Sequence, residues 1–197
     1  MTEIFRLLPL SCTPELGPQQ KDTLLLTGVY TVPGGDSIET VKYTIDTNFN
    51  ADYLRYEYGF TTGQQGFLYF ELKRFYRTNG SVFVVFSRYG GAPIVFSQHE
   101  LQMFDIVNGA LVSSKEQLLP LKVPLKYFLK KGTPDAARAK LEKNVNTAYD
   151  LSPDVSNTIR YSIAFHTFEE ETHIAASVMI FTWNGKTFTR KIEKDPE

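Results

Sequence analysis

Residues 103–112 read MFDIVNGALV, and the Asn-Gly pair at the centre separates two runs of alternating apolar residues. Asn-Gly is the strongest short-range signal for a β-hairpin, because a two-residue type I′ turn needs positive φ at both positions, and these residue types adopt it most readily. The pair occurs three times between such runs, at Asn79-Gly80, Asn108-Gly109 and Asn184-Gly185. Three turns of this kind predict a meander of antiparallel hairpins.

The alternation of apolar residues extends outward from these turns and marks about ten strands between residues 24 and 193, beginning with a strand at 24–32. Residues 124–149 differ, because their apolar residues recur at helical spacing after the helix-start signal Thr133-Pro134-Asp135. We therefore predict a mainly β fold, an antiparallel sandwich or strongly bent sheet with one helical insertion at 124–149. Residues 1–23 form an N-terminal segment or tether, and 24–193 form a single β-rich domain.

The composition limits the classes of function. Of the 197 residues, 42% are hydrophobic and 14% aromatic, which is enough for a packed core and argues against disorder. The formal net charge is −1, so no global positive field attracts nucleic acid, and no nucleic-acid partner is predicted. No stretch approaches the roughly 20 apolar residues that cross a bilayer, so no transmembrane segment is predicted.

The N-terminal segment has a possible lipidation site. Residues 4–12 read IFRLLPLSC, an apolar run that ends in Ser-Cys like a lipoprotein signal, and a polar segment follows Cys12 like a tether. Against lipidation of Cys12, the apolar run is short, Glu3 reduces the positive charge before it, and Pro9 interrupts it. The alternative is a first strand or loop whose leucines cap the core: Leu7, Leu8 and Leu10.

Two places in the sequence are candidates for ligand binding. Residues 53–60 read YLRYEYGF, in which Tyr56 and Tyr58 share one face and could stack on sugar rings or a peptide. Because Leu54 lies on that face too, the alternative is that the face belongs to the core. Arg88 and Tyr89 precede two glycines, and this pattern could form a loop tip that presents a cation and an aromatic ring to a ligand. The alternative is that the glycines allow a β-bulge and a close approach of neighbouring strands.

The sequence contains no recognisable catalytic constellation. His166 and His173 flank a run of three glutamates, and two imidazoles with a carboxylate such as Glu170 could bind a transition metal or serve a hydrolase. The spacing matches no metal signature, so no metal site and no cofactor are predicted. Nucleophile-elbow and phosphate-loop motifs are absent, and no catalytic residue is assigned.

The last hairpin reads Trp183-Asn184-Gly185-Lys186-Thr187-Phe188 and resembles the final hairpin of uncharacterised bacterial envelope or secreted β-domain proteins. The resemblance extends over about residues 67–192 and includes the stretch SRYGGAP at 87–93. It implies an envelope setting, often a lipid-anchored form, and no assigned activity.

Three functions remain open at this point. The first is a non-enzymatic binding or accessory domain of the bacterial cell envelope or periplasm, with a polypeptide or glycan ligand. The second is a hydrolase that uses carboxylates or the region of His166 and His173. The third is a cytoplasmic interaction or inhibitor protein of the immunity type.

Overall fold

The computed structural model describes residues 1–14, 16–32, 40–45, 52–60, 67–92, 95–152, 157–164 and 172–193. In chain order the elements are α1 (Thr2–Leu7), α2 (Pro18–Thr27), β1 (Val29–Thr31), β2 (Val41–Ile45), β3 (Tyr53–Phe60), β4 (Phe67–Tyr76), β5 (Val82–Ala92), β6 (Val95–Val107), β7 (Ala110–Ser113), a 3₁₀ turn (Leu125–Tyr127), α3 (Asp135–Asn144), β8 (Asn146–Asp150), β9 (Thr158–Ala164), β10 (Val178–Trp183) and β11 (Phe188–Glu193). These strands form two antiparallel sheets, one of seven strands and one of four. The predicted mainly β, antiparallel class is confirmed.

The chain divides into two compact units, Met1–Lys115 and Glu116–Glu197. In the first unit, strands β1 to β7 are neighbours in the sheet in the same order as in the sequence. In the second unit, β8 to β11 likewise follow one another. The sequence predicted one domain at 24–193 behind an N-terminal tether. The structure instead divides that range between two units, and residues 1–23 belong to the first unit.

Helices α1 and α2 pack on one face of the seven-stranded sheet. Phe5 of α1 is fully buried, and its ring meets the Tyr56 ring edge-on at 5.1 Å between centroids. The Tyr56 ring stacks in turn on Phe70, at 4.6 Å, and its hydroxyl donates to the carbonyl oxygen of Cys12 at 2.7 Å. The N-terminal residues are therefore part of the core of this unit.

The sequence interpretation missed α2. Residues 24–32 were predicted as a strand, but the helix continues to Thr27 and leaves three residues for β1. Pro18 at the first turn and Gly28, which ends the helix in the left-handed conformation at φ 77°, are its local signals. The buried Lys21 ammonium donates to the carbonyl oxygens of Arg6 and Leu8, where the negative end of α1 favours a cation.

All three Asn-Gly pairs join antiparallel strands, as predicted. The predicted type I′ turn forms at Asn108 and Gly109, with φ of 50° and 78°, and links Val107 directly to Ala110. At the other two pairs only the glycine has positive φ. The asparagine side chain instead accepts a backbone N–H two residues ahead, from Ser81 in one turn and Lys186 in the other. Side-chain hydrogen bonding by Asn thus produces wider turns there.

The helical insertion in the second unit is shorter than predicted. It consists of the 3₁₀ turn and α3, and the residues from Asn146 onward form strand β8 instead of continuing the helix to 149. Tyr149 is fully buried and meets the Tyr161 ring of β9 edge-on, at 4.8 Å. The burial of this side chain on the sheet, together with pairing to β9, outweighs the helical spacing of the apolar residues.

Replacing Phe5 with Ala should lower the free energy of unfolding by about 3–5 kcal/mol, because it removes a fully buried ring and leaves a cavity beside Tyr56. Leu26→Ala is the control, since Leu26 is 85% exposed and its truncation should change stability by less than about 0.5 kcal/mol. Urea denaturation measures both. If Phe5→Ala leaves the free energy of unfolding unchanged, α1 is not part of the core.

Gly109→Ala should destabilise the protein by about 1–2 kcal/mol, because φ at this position is +78° and an L side chain is strained there. Gly59→Ala is the matched control, because Gly59 lies in strand β3 and a Cβ there would meet no described atom within 4 Å. In thermal unfolding, the melting temperature of Gly109→Ala should be lower than that of Gly59→Ala. Equal stabilities would contradict the type I′ turn.

Candidate functional site

The predicted stacking platform at Tyr56 and Tyr58 does not form. Tyr56 is fully buried among Phe5, Phe70 and the backbone of Cys12. Tyr58 is half-buried, with its ring 5.0 Å from the Tyr43 ring. Both lie on the sheet face that carries the helices, because i and i+2 share a face in a strand. The core alternative for this face is therefore the correct one.

Arg88 and Tyr89 lie inside strand β5 and not at a loop tip. Successive residues of a strand point to opposite faces, so the two cannot present one binding surface together. The guanidinium of Arg88 pairs with the Glu100 carboxylate at 3.1 Å on the helix-covered face. Tyr89 lies on the other face, beyond a bulge that shifts its partner in β6 to Gln98.

Cys12 is fully buried in the core of the first unit. Burial raises the pKa of its thiol to about 11. Lipidation at Cys12 would require cleavage just before it, which would remove α1 and the buried Ile4, Phe5 and Leu8. The structure therefore argues against the predicted lipidation of Cys12, because residues 1–11 contribute to the core.

Alkylation of Cys12 by iodoacetamide should be at least about a hundredfold slower in the folded protein than in urea near pH 8, because the buried thiol is protonated and shielded. The rate should rise by about tenfold per pH unit until the pH approaches about 11, since the thiolate is the nucleophile. Mass spectrometry follows the reaction. Fast labelling of the folded protein at neutral pH would contradict the buried position.

The predicted histidine and glutamate region is only partly described. His166 and Glu170 lie outside the described residues, so a functional role for the region stays a prediction. The backbone carbonyl of His173 accepts a hydrogen bond from the Lys130 N–H at 2.8 Å. Over the described ranges, no group of three or more His, Cys, Asp or Glu side chains could hold a metal ion.

A different set of side chains lies together on the sheet face opposite α1 and α2, which we call the second face. Strand register aligns Arg55 with Glu71, and it aligns Glu57 with Tyr69 and then Tyr89 across three strands. We call the set Thr44, Arg55, Glu57, Tyr69 and Tyr89 the Arg55 surface. All five side chains are half-buried.

Arg55 is held from several sides. Its guanidinium carbon lies 3.8 Å from the centroid of the Tyr69 ring, and its Nη2 contacts the Glu57 carboxylate at 3.0 Å. The Nε atom is buried and has no hydrogen-bond partner among the residues that the structure describes. Burial opposes the charge, but Tyr89 and Glu57 favour it, so the pKa of Arg55 is raised above its usual value. Arg55 is a fixed cation.

Beside Arg55, the second face continues into the interior. Glu71 is fully buried, and its carboxylate accepts a hydrogen bond from the Tyr53 hydroxyl at 2.6 Å. Burial and the Glu71 carboxylate raise the pKa of Tyr53 well above its usual value. Lys73, on the same face of β4, is also buried. The Tyr53 and Glu71 side chains add to the electrostatic effects that raise the pKa of Arg55.

The Arg55 surface opens onto a depression of about 500 Å³, whose described lining is Thr44, Ile45, Arg55 and Glu57. Two aromatic contacts extend the surface along the sheet: Tyr69 to Tyr89 at 5.5 Å and Tyr69 to Phe67 at 4.7 Å between centroids. The surface therefore offers a fixed cation, a carboxylate acceptor and aromatic rings side by side. These groups suit binding.

Sequence reasoning missed Arg55 and its pairing with Glu57, although both residues lie in the quoted stretch YLRYEYGF. The alternation in that stretch identifies two faces but does not say which one is covered. The coverage comes from α1 and α2, and the sequence interpretation had assigned those residues to a tether and a strand. The alternating charges of Arg55 and Glu57 were the available signal.

No protein-family model matches the chain, and no curated protein matches it. Among solved structures, the chain is similar to a domain of an uncharacterized protein from Porphyromonas gingivalis W83, with a TM-score of 0.65 and 13% sequence identity. The similarity covers 98% of each chain. At this identity it shows the fold alone. None of the described helices has the length and apolar character that crossing a lipid bilayer requires.

Proposed function

We propose that the chain is a non-enzymatic binding domain that recognises a polypeptide or glycan through the Arg55 surface. The observation that carries this proposal is the position of Arg55, stacked on Tyr69 and paired with Glu57 at a depression of about 500 Å³. Ligand pockets commonly have volumes of about 300–1,000 Å³ and a few fixed polar groups.

The fixed positions of these side chains support ligand recognition. A ligand that binds a mobile arginine must immobilise it, and the lost rotamer freedom weakens binding. Arg55 is already held by Tyr69 and Glu57, so this cost is met during folding. Arginine and tyrosine are also the residue types that most often dominate binding energy in interfaces.

An envelope setting is supported by the resemblance of the hairpin at Trp183–Phe188 to those of bacterial envelope β-domains. The buried Cys12 counts against anchoring through a lipid on that residue. The same observation favours a second candidate, an interaction or inhibitor protein of the immunity type that acts in the cytoplasm without a lipid anchor. The two candidates share a binding role and differ in compartment.

The hydrolase alternative has less support. The sequence does not indicate which two carboxylates would converge, and His166 of its histidine pair lies outside the described residues. The best-defined carboxylate on the second face, Glu71, is fully buried and engaged by the Tyr53 hydroxyl. A buried carboxylate in this position stabilises its neighbours and is not open to substrate.

The experiment probes labelled protein against an array of oligosaccharides and a display library of peptides, and compares the wild type with Arg55→Gln. We expect reproducible ligands for the wild type and a loss of affinity of about tenfold or more in Arg55→Gln, because the fixed cation is removed. Arg160→Gln is the matched control, since Arg160 pairs with Glu193 on exposed strands of the second unit.

Circular dichroism and thermal unfolding confirm that each variant is folded before its binding is compared. The proposal is wrong if the folded wild type binds nothing on either panel. It is also wrong if Arg55→Gln binds as well as the wild type.

A further inference from the structure

Arg190 of β11 differs from the other arginines of the chain, because no carboxylate of the described residues forms an ion pair with it. The others all have such a partner: Arg6, Arg55, Arg74, Arg77, Arg88, Arg138 and Arg160. The guanidinium carbon of Arg190 instead lies 4.5 Å from the centroid of the Tyr127 ring, and its Nη2 donates to the Tyr127 hydroxyl at 3.2 Å. The protein positions this cation without neutralising it.

The groups around Arg190 have donors available for an anion. A guanidinium carries several N–H donors, and the described contacts of Arg190 use a single hydrogen bond. The Tyr127 oxygen accepts that bond, so the proton of its hydroxyl remains available to a second acceptor. The Lys126 ammonium lies 5.5 Å from the centroid of the same ring. A carboxylate that accepts from Arg190 and from the Tyr127 hydroxyl is therefore also attracted by Lys126.

The backbone beside this cation belongs to an open strand edge. Strand β11 ends the four-stranded sheet and is paired with β10 on one side. Residues of an antiparallel strand alternate between bonding to the neighbouring strand and turning away, and the hydrogen bond from the Asn184 N–H to the Thr187 carbonyl fixes the alternation here. By this alternation Lys191 bonds to β10, whereas the N–H and C=O groups of Arg190 and Ile192 point outward. The side chains of both residues are exposed.

An open edge of this kind binds an extended polypeptide, which adds as a further strand through backbone hydrogen bonds. A partner residue opposite Arg190 lies on the same face of the sheet, so its carboxylate meets the guanidinium and the Tyr127 hydroxyl. The partner residues two positions before and after it lie beside Phe188 and Ile192, which are half-buried and 37% exposed, and apolar side chains suit these places. A glycan lacks the matching row of amides.

The other charges of this part of the sheet are compatible with an acidic partner. Strand β10 contains no charged residue. Lys191 and Glu193 lie on the opposite face from Arg190, and the Glu193 carboxylate is paired with Arg160 at 3.3 Å. A second copy of β11 is a poorer partner, because antiparallel registers centred on Arg190 or Lys191 place a cation opposite itself.

We propose that the outer edge of β11 binds an extended acidic segment of a partner polypeptide, which adds as a strand and places a carboxylate on Arg190 and the Tyr127 hydroxyl. The segment has an acidic residue with apolar residues two positions to either side. This site lies in the second unit and is independent of the Arg55 surface, so Arg55→Gln should bind the acidic segment as the wild type does.

Fluorescence anisotropy with short capped peptides tests the charge requirement on the full chain. The probe has Val-Thr-Glu-Thr-Val at its centre, and the comparison peptides replace the Glu with Gln or Lys. We expect the wild type to bind the Glu peptide about fivefold or more tightly than the Gln peptide. Arg190→Gln should remove this preference. Arg138→Gln, which removes the same charge from an exposed ion pair on α3, is the matched control and should retain it.

Amide hydrogen exchange measured by NMR tests the strand addition. Saturating Glu peptide should slow exchange of the Arg190 and Ile192 amides by about tenfold or more, because their outward N–H groups gain acceptors. The Lys191 amide, which already bonds to β10, should change by less than about twofold. N-methylation of the central amide of the peptide should weaken binding, because it removes a donor from the new ladder.

Circular dichroism confirms that Arg190→Gln is folded before its binding is compared. The proposal is overturned if the Glu peptide does not bind, or if it binds no more tightly than the Gln peptide. Binding that leaves the exchange of the Arg190 and Ile192 amides unchanged also overturns it. An oligosaccharide of galacturonic acid that binds in place of the peptide, and is lost in Arg190→Gln, indicates an anion site without strand addition and likewise overturns the proposal.

Discussion

The first unit depends on the burial of Tyr56. Its ring lies between Phe5 of α1 and Phe70 of β4, and its hydroxyl donates to the carbonyl oxygen of Cys12. This one side chain therefore joins the N-terminal helices to the sheet through apolar packing and a hydrogen bond. Because neighbouring residues of a strand point to opposite faces, burying Tyr56 places Arg55 and Glu57 on the second face. The position of the candidate site therefore follows from which face of β3 is buried in the core.

Both units use buried tyrosines in the same way. A buried hydroxyl is costly without a partner, so it fixes whatever chain segment supplies one. In the first unit, Tyr43 donates to the Pro14 carbonyl at 2.6 Å, near the carbonyl that Tyr56 engages. In the second, Tyr149 donates to the Pro120 carbonyl at 2.6 Å, and the Tyr161 hydroxyl accepts from the Val123 N–H at 3.4 Å. Each sheet thereby holds an irregular segment against its core.

Sequence patterns predict the features that neighbouring residues determine, such as hairpins. They fail for features that depend on packing between distant segments. Alternation and the Asn-Gly pairs predicted the antiparallel hairpins, because turn and strand preferences are local. The covered face of β3 depends on α1 and α2, which are more than twenty residues away in the chain. The sequence therefore left open whether Tyr56 lies in a binding surface or in the core, and Arg55 was overlooked. The stretch from Asn146 has helical spacing, yet it becomes a strand because Tyr149 is buried against β9. Tertiary packing overrides local preference in both cases.

Two groups on the second face, Tyr53 and Arg55, have raised pKa values. A general acid or base works best when its pKa lies near the operating pH, and active sites shift pKa values toward that range. Here the pKa values of Tyr53 and Arg55 are raised away from neutrality. Both groups keep their protons throughout the physiological range, so they hold a constant pattern of donors. A constant pattern of donors is compatible with the proposed binding role.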